Sequence, residues 1–248
     1  MQRLYDYPDI YDAMHADVTE DIGVYVALAH EIGGSVLEVG CGTGRVSSAL
    51  VRAGFTVYGL DSSEALLTRA REKIRPEQEG DDFTPRGRFI PLPADVLDLP
   101  DSLAVSLALL PLNFCAHVHT LDALQRVFAA VKGVLSPGGQ VVVHSFPSGS
   151  GVAVDGALVH RGVLHVKGGE SADWYETRRV SGDLEHITWF VQTSHTDYTF
   201  PLTLRLWRRD DYLAAASASG FRSAGELLPE SDGSLLLRFV LPDLATDR

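Results

Sequence analysis

Apolar positions along this chain follow two different rhythms. From Ile22 to Phe146, short unbroken apolar runs alternate with stretches where apolar side chains recur at three- and four-residue steps. The runs "SVLEV", "FTVYGLD", "GRFIPL", "LAVSLALL" and "QVVVHSF" lack polar alternation, as strands do when both faces of a parallel sheet are covered. Between them, helices are predicted from the stripe Ile22, Val26, Ala29, Ile32, from "RVSSALVRA", from "SEALLTRAREKI", and from the stripe Leu121, Leu124, Phe128, Val131. Asp17 or Thr19 is expected to cap the first helix, which ends at Gly33-Gly34. Gly54 closes the second, and Ser62 or Ser63 caps the third. "RPEQEGDDFTPRG" reads as a surface loop and "SPGG" as a turn before the fifth strand. This alternation predicts an α/β, Rossmann-like doubly wound sheet with right-handed crossovers.

The rhythm changes at Pro147. Up to about Trp207 the chain shows Gly-rich turns and alternating runs, such as "LEHITWFVQTS" and "YTFPLTLRLW", which predict antiparallel strands. "RDDYLAAASASGF" then reads as a helix capped by Asp210 or Asp211, and "RSAGELL" and "SLLLRFVL" as two closing strands that bring the main sheet to seven. The expected organisation is a core of residues 1–146 and 208–248. Residues 147–207 form a β-rich insertion after the fifth strand, acting as a lid or a cap over the acceptor site.

Composition narrows the function. The 248 residues are 45% hydrophobic and 22% charged, enough for a sizeable core. The formal net charge of -12 disfavours a nucleic-acid partner, because the basic groups Arg205, Arg208, Arg209 and Arg178, Arg179 are short and read as solvated surface. Two cysteines, Cys41 and Cys115, allow no disulfide framework and no CxxC metal pair, so the expected location is the reducing cytoplasm. No metal site is predicted. The N-terminal "MQRLYDYPDIYDAMH" has no apolar signal core, and the run from Leu103 to Phe114 is too short to cross a bilayer, so no membrane partner is expected.

The candidate chemistry centres on "VLEVGCGTGRV", where Gly40, Gly42 and Gly44 stand at alternate positions between a strand and a helix. A triphosphate-cradling loop would end Gly-Lys-Ser/Thr; this one ends Gly44-Arg45-Val46. A dinucleotide fingerprint would place its third glycine at position 45, which is arginine. Glu38 beside the loop repels a pyrophosphate and suits a ligand carrying an ammonium group. Asp61, at the end of the second strand, is placed to accept hydrogen bonds from two ribose hydroxyls. A cationic nucleoside without phosphate meets both demands, as S-adenosylmethionine does.

Together with "VYGLDSS", "PADVLDLP", "LPLNFCAHV" and "LSPGGQVVV", this loop resembles the class I S-adenosylmethionine-dependent methyltransferases from Val36 to about Phe146. The resemblance implies that the three glycines let the methionine portion approach the backbone, with Glu38 near its charged end and Asp61 at the ribose. It implies that Asp95 and the backbone of Val96 read the adenine edge. Cys41, Ser62, Leu112 and Asn113 fall in the same cofactor site, Cys41 as a small loop residue rather than a nucleophile. Asp95 also reads as an ordinary capped turn, with Asp98 as the alternative acid.

Asn113 and His117, four apart after the fourth strand, together with the N-terminal "YD" and the β-rich insert, are similar to the small-molecule N-methyltransferases. These include amino-sugar N,N-dimethyltransferases and relatives of glycine N-methyltransferase. That similarity implies that Tyr11 and His117 border the acceptor, with His117 orienting or deprotonating it; His119 is the alternative. Tyr5, Tyr7 and Tyr11 read either as a lid or as packing anchors. Trp174, Tyr175, Trp189 and Phe190 read first as the insert's own core, then as an acceptor wall or dimer contact. The expected partner is a small-molecule acceptor, most simply an amine, with a second copy of the chain as a candidate. The alternatives are O- or C-methylation, and a non-catalytic cofactor-binding partner protein.

Overall fold

The computed structural model describes residues 2–75, 87–146, 155–229 and 234–242. The expected loop "RPEQEGDDFTPRG" and the Gly-rich turns of 147–154 fall almost entirely outside them. Five parallel strands form the centre: β1 (Val36–Val39), β2 (Thr56–Asp61), β3 (Arg88–Pro93), β4 (Val105–Leu110) and β5 (Leu135–Ser145). At the chain's end β10 (Arg222–Pro229) and β11 (Leu235–Val240) add antiparallel, giving the order β10-β11-β5-β4-β1-β2-β3. The order reverses between β1 and β4, the point beyond whose carboxyl ends α/β sheets hold their ligands.

Helices cover both faces because each presents one apolar stripe. Among the described residues, Tyr25 and Leu28 of α2 (Ile22–Ile32) pack with Val46 and Leu50 of α3 (Arg45–Arg52) on one face of the sheet. On the other face, Leu124, Phe128 and Val131 of α5 (Leu121–Val134) pack with Tyr212 and Ala215 of α6 (Arg209–Ala218). Ser63 caps α4 (Glu64–Lys73), its Oγ accepting from the Leu66 amide at 3.3 Å.

Three local expectations are corrected. The residue before α2 is Asp21, not Asp17 or Thr19, and its side chain makes no cap because it turns inward to Arg45. Strand β5 begins ahead of "SPGG": Leu135 already pairs with Val105, and the register shifts before Leu107 meets Gln140. Helix α6 starts after Arg208, with Asp211 reaching back to the Arg208 amide at 2.9 Å.

A second sheet is built from β6 (Val159–His165), β7 (Ser171–Ser181), β8 (Leu184–Gln192) and β9 (Asp197–Arg205), antiparallel in that order. An N-terminal 3-10 turn (Leu4–Asp6) and α1 (Pro8–Met14), neither read from the sequence, pack beneath it. Leu4 and Ile10 join Ala172, Val191 and Phe200 in one apolar cluster. The same segment grips the first sheet's helices through Arg69 to Asp9 and Lys73 to Asp12. The N-terminus thus clasps the two sheets together.

Candidate functional site

Strand β1 ends in a loop that only glycine can follow. Gly40, Gly42 and Gly44 hold φ values of 70°, 55° and 81°, a left-handed region costly to side chains with a Cβ. The three glycines have different neighbours. A Cβ on Gly40 would meet the Phe114 ring at 2.8 Å, one on Gly42 the Tyr11 hydroxyl at 2.8 Å, and one on Gly44 the Ile74 side chain at 2.8 Å. Gly40 lines a cavity of about 1210 Å³; Gly42 and Gly44 do not line it. Gly44 therefore serves the close packing of the loop on α4, and Gly42 admits Tyr11.

The two acids expected beside the loop lie on the same cavity as Gly40. Glu38 is 2% exposed and accepts a hydrogen bond from the Ser47 hydroxyl. Burial, which penalises its charged form, raises its pKa to about 7. Asp61 accepts from the amides of Gly42 at 2.9 Å and Ser63 at 2.8 Å, so the acid itself ties the loop to the end of β2. Its pKa is also raised by burial, against those amide bonds.

Cys41, Ser62, Asp95 and Val96 line the cavity as well. Burial drives the Cys41 thiol's pKa up, which fits a small loop residue and not a nucleophile. Asp95 caps the short turn Val96–Asp98 by accepting from the Leu97 amide at 2.9 Å. The capped-turn reading is therefore met by Asp95, while its position keeps it at the cavity wall.

Past β4, Leu112 and Asn113 hold φ values of 48° and 61°, unusual for residues with side chains. Asn113 Oδ1 accepts from the Phe146 amide at 2.7 Å, and its own amide donates to the His144 carbonyl at 3.1 Å. These bonds pin the ends of β4 and β5 together and aim the following turn, Phe114–His117, at the cavity. His117 Nε2 lies 3.3 Å from the Tyr5 hydroxyl. Burial by surrounding protein lowers its pKa to about 4, with His119 adding a smaller push the same way. His119 instead makes a 3.0 Å hydrogen bond to the Thr203 carbonyl of β9. Tyr11 stacks on His15 with centroids 4.2 Å apart, and desolvation raises its pKa.

Sequence reasoning missed two features here. Arg45, the residue that breaks the dinucleotide fingerprint, makes two bonds to Asp21 at 2.5 and 2.8 Å and also lines the cavity. A lone acid 24 positions away, about 80 Å of extended chain, carries no visible signal of that pairing, since the contact is tertiary. Arg178, read as solvated, is turned inward between Glu176 and Glu185. Of the insert's aromatics, Trp189 lines the cavity and Trp174 packs on the N-terminal cluster. Tyr175 and Phe190 pair on the opposite face, by strand alternation. Among the described residues no group of His, Cys, Asp and Glu could hold a metal ion, and no helix is long and apolar enough to cross a membrane.

The cavity suits S-adenosylmethionine on its chemistry: a left-handed glycine lining, a buried carboxylate for an ammonium group, and a second for ribose hydroxyls. Comparison with known proteins agrees. Residues 36–139 match the methyltransferase domain family. An uncharacterized methyltransferase of Bacillus mycoides is 28% identical over 139 residues, covering 55% of each chain, so the chain spans about half the length of the curated relatives it matches. Two solved structures share the fold. One is S-adenosylmethionine-bound CalS10, an amino pentose methyltransferase from Micromonospora echinaspora (TM-score 0.69, 20% identity, 94% of this chain and 96% of that one). The other is the sugar N-methyltransferase KedS8 from Streptoalloteichus (TM-score 0.72, 20% identity, 94% and 91%). Residues 36–139 thus resemble a methyltransferase domain, and the chain shares the class I methyltransferase fold of these two structures.

Proposed function

We propose that this chain transfers a methyl group from S-adenosylmethionine to the amino nitrogen of a small natural-product acceptor. The observation that carries this reading is the continuity of one cavity from Glu38, Gly40 and Asp61 to His117. The bound donor supplies an activated methyl group. What remains for the protein is to align the acceptor and keep water out. The N-terminal clasp and the second sheet, acting as a cap over the acceptor site, serve the exclusion.

His117, neutral well below physiological pH, suits orientation of the amine by hydrogen bonding better than removal of its proton. Tyr5 stands beside it and Tyr11 beside Tyr5, both with neutral hydroxyls, because burial holds the Tyr5 pKa up to about 12 and raises that of Tyr11. The nitrogen lone pair forms the new bond, the methyl–sulfur bond breaks, and the nitrogen then sheds one proton. An amine acceptor is supported by the two structural neighbours, one an amino pentose methyltransferase and the other a sugar N-methyltransferase. The partner we propose is the small molecule, in the cytoplasm; net charge argues against nucleic acid, and a homodimer is tested by sedimentation.

The test is methyl transfer to matched panels of amines, phenols and sugars. N-methylated product is expected; transfer only to oxygen or carbon, or cofactor binding with no transfer to any acceptor, overturns the reading.

A further inference from the structure

Arg45 stands where α3 leaves the glycine loop, and its guanidinium is only partly used. Nη1 and Nη2 donate to the two oxygens of Asp21 at 2.5 and 2.8 Å, and Nη1 also donates to the Val18 carbonyl at 2.9 Å. A guanidinium carries five N–H groups, one on Nε and two on each Nη. Both on Nη1 are therefore taken. Nε and the second N–H of Nη2 make no hydrogen bond among the described residues. Those two lie along one edge of the planar group, the fork that takes a carboxylate through two parallel bonds. Arg45 lines the same cavity as Glu38 and Gly40.

Asp21 is itself held from behind. Tyr25 and His144 are both buried, with the Tyr25 hydroxyl 2.9 Å from His144 Nδ1 and that nitrogen 3.6 Å from an Asp21 oxygen. The other imidazole nitrogen, Nε2, is buried with no hydrogen-bond partner among the described residues. A buried polar atom left unpaired costs free energy, and apolar side chains commonly serve a fold as well as a buried ion pair does. Tying Val18 to α3 therefore does not account for this cluster, nor for the free edge it leaves on the cavity.

We propose that Arg45, aimed by Asp21, His144 and Tyr25, takes the α-carboxylate of the methyl donor on its Nε–Nη2 edge while Glu38 takes the α-ammonium. The site then demands the whole amino-acid end of the donor and rejects adenosine thioethers that lack the carboxylate. This rests on the S-adenosylmethionine reading above. Charge balances at this end of the cavity. Arg45, Asp21 and an ionised Glu38 carry one net negative charge, and the donor's ammonium, carboxylate and sulfonium carry one net positive charge. On the same wall Asp12 and Lys73 pair with each other, and burial lowers the pKa of His15, which adds no charge.

The test is calorimetric titration with S-adenosylhomocysteine and with 5′-S-(3-aminopropyl)-5′-thioadenosine, which differs from it only by the missing carboxylate. Wild type is expected to prefer S-adenosylhomocysteine by at least about tenfold, the worth of a hydrogen bond to a charged group. Arg45→Lys keeps the charge and removes the two-donor edge. Asp21→Asn combined with Arg45→Gln removes both charges together, so no ion is left unpaired. Both should collapse that preference while the aminopropyl compound binds as it does to wild type. Tyr25→Phe removes only the hydroxyl behind Asp21, and as a change to a positioning residue it should lower the same ratio. A purely structural role would weaken both ligands alike and leave the ratio in place. A wild type that binds the two equally, or a ratio unchanged in both Arg45 variants, overturns the role of Arg45. A ratio unchanged in Tyr25→Phe overturns the aiming cluster. These outcomes leave the S-adenosylmethionine reading standing, whereas a wild type that binds neither compound overturns both.

Discussion

The hydroxyl of Tyr5 stands 3.3 Å from Nε2 of His117, joining the N-terminal clasp to the turn after β4 across 112 positions of sequence. Both side chains line the cavity that holds Glu38 and Asp61. His117→Ala is expected to lower kcat by about 100-fold, the low end of what one positioned acid-base group contributes, with S-adenosylhomocysteine binding unchanged. Initial rates and calorimetry on the same preparation check this.

Stability should also report on His117. Its folded pKa, about 4, lies below the ordinary histidine value of 6.5. Between those values the unfolded chain holds more protons, so stability falls as pH drops through that window. His117→Ala should flatten this part of the stability-pH curve. Urea midpoints from pH 7 to pH 4, wild type against variant, measure it.

Glu38 behaves in the opposite sense. Burial raises its pKa to about 7 against the ordinary 4.5, so the folded chain holds the extra proton between those values and stability falls as pH rises through them. A cationic ligand beside Glu38 favours its ionised form. Binding of S-adenosylmethionine at pH 6.5 should therefore release a fraction of a proton, and its affinity should rise with pH up to about 7. Calorimetry in two buffers of different ionisation heat detects the release, which Glu38→Gln should abolish.

Asp21 is 3% exposed and holds Arg45 through two hydrogen bonds, and those bonds hold its pKa far below the usual range against the opposing effect of burial. Removing one member of a buried pair strands the other. Asp21→Ala is expected to cost about 3 kcal/mol, a fall in Tm of roughly 6–12 °C for a chain of this size. Differential scanning calorimetry measures it.

Gly42 tests the clasp. At φ 55°, a Cβ there is strained, and it would also meet the Tyr11 hydroxyl at 2.8 Å. Gly42→Ala is expected to cost about 1–2 kcal/mol from backbone conformation alone and to displace Tyr11 from the loop, raising KM for donor and acceptor together.

The sheet's centre was legible because its signals are local. "SVLEV" and "FTVYGLD" are unbroken apolar runs, and Gly40 and Asp61 mark the turns that follow them. Asn113 and His117 were legible by position, although the hydrogen bonds of Asn113 to β5 were not. The N-terminal tyrosines were legible as a lid or as packing anchors, but their partners were not: Tyr7 packs on Tyr198 and Phe200, far along the chain, and no local spacing encodes that. Arg178 read as surface because charge usually is surface, and only the strand register turns it inward between two acids.

The central claim is that the glycine loop, Glu38 and Asp61 hold a phosphate-free cationic adenosine compound. Calorimetric titration of the purified protein with S-adenosylmethionine, S-adenosylhomocysteine, NADH and ATP tests it directly. The account predicts one-to-one binding of the first two, with NADH and ATP at least about 100-fold weaker, as expected when a buried acid faces a phosphate. Binding of NADH or ATP in preference to S-adenosylmethionine would contradict it.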